Sequence, residues 1–277
     1  MKTENNCREH RSVELADVFR LHGEEYLKHH RIPGDSYKVM YHITHCRTAI
    51  LGGHLLECEE CDFQQNAYNS CRDRHCPKCQ TMVKEQWLSD RKAELLPCGY
   101  FHKVFTLPHI LNPVILRNKE ACYKILFDAV NETLKAFSKD PQWRLVGQVG
   151  FIAVLHTWSQ VLLDHVHLHC LIPAGVLSLD KKKWKPARKG KKKYLFKITS
   201  LAKEFKKRYL KKLRQSYEDG RLIFPGNTTR FSAMDNFDRL IRKAESKKWI
   251  AYTKRPFAGP EQVLEYLGRY THRVAIT

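Results

Sequence analysis

Apolar residues recur at helical intervals across 113–137, where Ile115, Leu116, Cys122, Ile125, Leu126, Val130, Leu134 and Phe137 share a stripe. That spacing predicts an amphipathic helix packed on a sheet. Around it the pattern is that of strands. The aromatic and β-branched run 100–107 predicts a strand that Pro108 ends, and 149–157 and 166–172 predict adjacent antiparallel strands joined around 159–165. Farther along, 200–217 predicts a basic helix capped by Ser200, 235–246 another helix, 249–254 a strand, and a last helix opens near Pro260. A helix over 81–95, stopped by Pro97-Cys98-Gly99, joins these elements to a cysteine-rich leader. The boundary is set there, giving domains 1–96 and 97–277.

Charge changes the picture. Lys and Arg number 49 against 29 Asp and Glu, a net charge of +20, which favours a polyanionic partner such as DNA over a neutral small substrate. Between Lys181 and Arg214 there are 17 basic residues and one acidic residue, interspersed with Trp184, Tyr194, Phe196, Phe205 and Tyr209. The first part of this segment reads as a loop, and Lys191, Lys192 and Lys193 within it are candidate phosphate contacts. No apolar stretch reaches the roughly 18 residues a membrane span needs. The opening 1–11 is too polar for a secretory signal. A cytoplasmic, nucleoid-associated protein is expected, with no membrane partner. In that compartment the ten cysteines stay reduced, so their clustering points to metal.

Cys58-x-x-Cys61 and Cys76-x-x-Cys79 stand 14 residues apart, a spacing that lets four thiolates surround one tetrahedral zinc in a closed, structural site. Cys71 and His75 inside the loop, and Cys46 before it, could complete a second site or replace one of the four. Farther on, His167-Leu168-His169 lies on a predicted strand, where alternate side chains share a face, so both imidazoles can reach one divalent ion. Gln160 on the neighbouring strand end is the expected third ligand, with Asp164 and His165 as competitors, and Mg²⁺ or Mn²⁺ the expected ion. Such an ion would polarise a phosphate, leaving the nucleophile to come from elsewhere. Tyr266 and Tyr270, four residues apart on a predicted helix, present two phenols to one cleft. Arg269 and Arg273 are close enough in sequence to favour the phenolate and contact DNA. No GxxxxGK[ST] loop occurs, which suits a strand-rejoining reaction that needs no nucleotide.

The chain resembles the two-tyrosine rolling-circle transposases of the insertion-sequence-91 family, within the HUH endonuclease superfamily. The resemblance runs over most of its length. It rests on Cys46-Arg47-Thr48, Leu51-Gly52-Gly53-His54, the run 68–79 ending His75-Cys76-Pro77-Lys78-Cys79, Phe105-Thr106-Leu107-Pro108-His109, His165-Val166-His167-Leu168-His169, and Tyr266-Leu267-Gly268-Arg269-Tyr270-Thr271-His272-Arg273. It implies an α+β protein: an N-terminal zinc-binding domain, then a nuclease domain whose central antiparallel sheet is flanked by helices. It also implies that His167 and His169 hold the metal with Gln160, and that Tyr266 and Tyr270 are the nucleophiles. One tyrosine would nick single-stranded DNA at an element end and keep the 5′ phosphate while the 3′ hydroxyl primes synthesis, so host replication factors are expected partners. Members of the family commonly continue well past the tyrosine motif, whereas this sequence ends at Thr277. A C-terminally truncated catalytic domain is therefore expected, and the alternative is a catalytically inactive, zinc-containing DNA-binding protein.

Overall fold

A computed structural model describes residues 13–143, 145–159, 161, 163–187, 196–254 and 259–271. The described residues divide into two compact units, one up to Trp87 and the other from Leu88 to Thr271. In the first, helices α1 (Leu15–His29) and α2 (Gly34–His45) precede a hairpin of β1 (Gly53–Glu57) and β2 (Gln64–Tyr68). Asp17 Oδ2 accepts the Glu14 backbone N–H at 2.9 Å and so starts α1. The core here is small, made of Ala16, Ile43, Cys46, Cys76 and Cys79. So few apolar residues bury little area, and a unit of this kind needs a further constraint such as a metal. Helix α3 (Pro77–Ala93) then carries the chain into the second unit. It begins four residues before the predicted 81, because Pro77 suits a first helical turn, where its missing N–H costs nothing.

The second unit follows the predicted order closely. Strand β3 (Tyr100–Thr106) precedes α4 (Asn112–Arg117) and α5 (Lys119–Lys139), followed by β4 (Ile152–Trp158) and β5 (Asp164–Pro173). A small hairpin of β6 (Gly175–Leu177) and β7 (Trp184–Pro186) comes next. Last are α6 (Ile198–Glu218), α7 (Met234–Ser246), β8 (Ile250–Lys254) and α8 (Pro260–Thr271). The single helix expected over 113–137 is two, broken at Asn118. That residue leaves helical geometry at φ −128° and ψ 46°. Its amide donates to the Val114 and Ile223 carbonyls, and its Oδ1 accepts the Ile223 N–H at 2.7 Å. Helix α6 is capped by Lys197, three residues before the expected Ser200, which lies inside its first turn.

The main sheet runs β4-β5-β3-β8 with every pairing antiparallel. Alternation sorts β5 cleanly. Val166, Leu168 and Cys170 enter one core with Phe105, Leu126, Phe205 and Tyr209, so α5 and α6 cover that face. His167 and His169 point to the other face, against which α8 packs. The result is the mixed architecture expected, an antiparallel sheet flanked by helices. Among the described residues, no helix is long and apolar enough to cross a membrane.

Candidate metal centres and active site

In the first unit Cys46, Cys71, Cys76 and Cys79 converge, their sulfurs all within 4.8 Å of one another. Cys46 Sγ and Cys71 Sγ each lie 3.6 Å from Cys79 Sγ. Four thiolates at about 2.3 Å from a tetrahedral zinc stand about 3.8 Å apart, so the spacing fits that ion. Burial raises the Cys76 thiol to about 11 and pushes Cys71 higher still. Bound zinc reverses such a preference, because it deprotonates the thiols it ligates. The loop between Cys71 and Cys76 is braced by Asp73, which accepts from the His75 backbone N–H and bonds His42 Nδ1, each at 2.8 Å. His75 thus contributes through its backbone and is not among the clustered ligands.

This set differs from the one that spacing predicts. Cys58 and Cys61 are exposed at the turn of the β1–β2 hairpin and are not part of the cluster. The hairpin accounts for the difference. It occupies 53–68 and lets Cys46, at the end of α2, meet Cys71 at the far end of β2, where the Cys71 N–H approaches Cys46 Sγ at 3.5 Å. Sequence distance alone gives no sign of that closure.

On the face of the second unit's sheet against which α8 packs, His156, His167 and His169 place one ring nitrogen each within 4.8 Å of the others. The register explains it: His156 on β4 stands directly opposite His167 on β5, and His169 lies two residues on, on the same face. The other ring nitrogens are already committed. His167 Nδ1 lies 2.7 Å from the His165 carbonyl, and His169 Nδ1 lies 2.7 Å from His102 Nε2. Both rings therefore offer Nε2 outward, and the buried His169 Nε2 has no hydrogen-bond partner among the described residues. Burial, reinforced by the neighbouring imidazoles, pushes His156 down to about 3 and His169 to about 2, and lowers His167. Three neutral imidazoles converging in this way are a donor set for a cation.

Of the other predicted residues, Asp164 and His165 lie on β5 but outside the three-histidine group. His165 Nδ1 pairs instead with His109 Nε2 at 2.9 Å. Gln160, Arg273, Lys191, Lys192 and Lys193 lie outside the described residues. His156, not singled out from the sequence, occupies the third position. Only the strand register could reveal it, because eleven residues separate it from His167 along the chain.

Helix α8 carries Tyr266, whose ring centroid is 6.2 Å from that of His169. Leu264 and Leu267 are fully buried beneath it, while Tyr266 stays 39% exposed, so the phenol sits between the packed base of the helix and solvent. Lys92 Nζ anchors the helix through Glu265 at 2.9 Å. Gly268 allows its close approach to Leu88: an added Cβ would come within 3.0 Å of the leucine side chain. Arg269 and Tyr270 are on the same helix, Tyr270 one turn beyond Tyr266, and their side chains lie outside the described residues.

The chain matches two family models. Residues 18–107 match one described as a transposase zinc-binding domain, and residues 150–277 match one described as a putative transposase. A putative transposase from Sinorhizobium fredii is 43% identical over 265 residues, 95% of this chain and 66% of that protein. The transposase for insertion sequence element IS801 from Pseudomonas savastanoi pv. phaseolicola is 27% identical over 241 residues, 84% of this chain and 54% of its own length. The chain thus spans between about half and two thirds of these relatives. No solved structure matches it.

Proposed function

Because the chain belongs to the insertion-sequence-91 family of transposases, we propose that it nicks single-stranded DNA at element ends through a phosphotyrosine intermediate and transfers the strand by a rolling-circle route. The observation that carries this reading is the edge-on approach of the Tyr266 ring to His169, with centroids 6.2 Å apart, which puts a phenol beside three converging imidazoles. The all-nitrogen donor set favours Mn²⁺ over Mg²⁺, which seeks oxygen ligands and keeps its waters. His156, His167 and His169 would hold the ion. When bound, it supplies Lewis-acid polarisation of a phosphate oxygen and orients the scissile bond.

The chain's own groups then define the step. Tyr266 Oη gives up its proton to solvent and attacks phosphorus. The new bond joins Oη to phosphorus while the bond from phosphorus to the 3′ oxygen breaks, and the leaving 3′ oxygen takes a proton from solvent. The phosphotyrosine keeps the bond energy of the original phosphodiester, so rejoining needs no cofactor. Arg269 and Arg273 follow the nucleophile in sequence and are assigned to the phosphate, with Tyr270 as the second nucleophile. In the first unit a zinc held by Cys46, Cys71, Cys76 and Cys79 is structural, since four protein ligands close its coordination.

The test is to incubate the protein and Mn²⁺ with a labelled single-stranded oligonucleotide from an element end and to separate the products on a denaturing gel. A covalent protein–DNA adduct is expected, lost in Tyr266→Phe and retained in Phe substitutions of tyrosines away from the site. Tight binding with no adduct would instead establish a DNA-binding protein that does not cut.

A further inference from the structure

We propose that a groove along α6, on the side of the sheet away from the histidines, is a second nucleic-acid site that grips the backbone of duplex DNA while the histidine face handles the single strand. The proposal rests on the reading that this chain handles DNA, and it adds a separate surface and a separate substrate form. The groove encloses about 1080 Å³ between α6, the turn after α5 and the end of α7. Its position follows from α6 packing: Phe205 meets Phe105 of β3 at 5.2 Å on the sheet's covered face, which leaves the outer flank of α6 to line the groove.

The two flanks of α6 differ in how their charge is used. On one, Arg208 pairs with Glu204 at 2.8 Å and Lys212 with Glu132 at 2.7 Å, so those cations are neutralised within the fold. On the other, Lys203, Lys207 and Lys211 recur every four residues, all exposed, and have no carboxylate partner among the described residues. Lys197, the N-cap of α6, lines the same groove. Residues four apart in a helix rise about 6 Å, so the three ammonium groups form a row rather than a point, as a backbone-tracking contact requires. Three acidic residues line the groove: Glu204 holds Arg208, Asp140 accepts the Gln142 N–H at 3.0 Å, and Glu245 accepts Lys206 Nζ at its backbone carbonyl at 2.7 Å.

Duplex is favoured over single-stranded DNA by what the groove lacks. Among the described residues that line it, the aromatics Phe137 and Trp143 are stacked on each other at 5.0 Å and packed edge-on with Phe196, which ties the pair into the core instead of offering it to bases. Single-strand sites combine cations with stacking aromatics, whereas a duplex exposes its phosphates and needs the cations alone.

The experiment measures the salt dependence of binding to a blunt duplex for the full chain and for Lys203→Gln/Lys207→Gln/Lys211→Gln. Losing three phosphate contacts should flatten the log–log slope by about 2.7, so that between 50 and 200 mM salt the variant loses about 40-fold less affinity than the parent. The single change Lys207→Gln should flatten it by about 0.9, and Lys212→Gln, already paired, should leave it unchanged. Adduct formation with the single-stranded oligonucleotide should survive in all three. An unaltered slope in the triple variant overturns the groove, as does an equal loss on single-stranded DNA. The adduct assay tests the cutting reaction separately, so failure of one is distinguishable from failure of the other.

Discussion

His102 Nε2 lies 2.7 Å from His169 Nδ1, with the two rings stacked at 17°. The contact fixes which nitrogen of His169 faces the metal seat, because a ring that donates through Nδ1 offers its Nε2 lone pair. His102→Phe removes the acceptor while keeping a ring of similar size. Mn²⁺ affinity, followed by calorimetric titration, should fall 10- to 100-fold, the usual effect of losing an outer partner of a metal histidine. His102→Gln, which restores an acceptor, should recover part of it. Undiminished binding by the Phe variant would show that the pair is packing only.

His156 and Gln160 make competing claims to the third ligand position. The register that sets His156 opposite His167 predicts that His156→Ala weakens Mn²⁺ binding by more than the roughly 100-fold loss of an outer-shell group. Gln160→Ala should change it little. The reverse ranking in the same titration would return the role to the glutamine.

The zinc site yields a similar contrast. Cys46→Ser and Cys71→Ser should each release zinc and lower the melting temperature of the protein, because a small unit with few buried apolar residues relies on its metal. Cys58→Ser and Cys61→Ser, at exposed hairpin positions, should leave the four-thiol zinc in place. Metal content per chain, measured by chelator release, decides between them. Zinc lost from Cys58→Ser and Cys61→Ser but kept in Cys46→Ser and Cys71→Ser would mean that the two CxxC pairs hold the ion after all.

The parts of this molecule that sequence reveals are those encoded by local periodicity. The strands holding Phe105 and Leu168 and the helix holding Leu264 and Leu267 alternate or recur as their buried faces demand, and the structure places them within a few residues of expectation. The histidine pair His167 and His169 was legible for the same reason. What escaped was closure across the chain. His156 becomes a neighbour of His167 only through strand register, His102 reaches His169 from a third strand, and Cys46 joins Cys71 only because a hairpin folds between them. Asn118 escaped as well, since its helix-breaking conformation is held by bonds to Ile223, more than a hundred residues away.

Burial of the imidazoles also predicts how the metal-stripped protein responds to acid. His156 is pushed down to about 3 and His169 to about 2, chiefly by burial, whereas a histidine in the unfolded chain titrates near 6.5. Above about 6.5 neither state binds the proton and the groups do not affect stability. As pH falls below that value the unfolded chain takes up protons that the folded seat refuses, so stability is lost by about 1.4 kcal/mol per pH unit for each histidine. The denaturation midpoint in guanidinium should therefore drop between pH 7 and pH 5. Replacing one of the two, as in His156→Phe, should make that drop shallower. A pH dependence identical in the parent and the variant would place its origin outside the histidine seat.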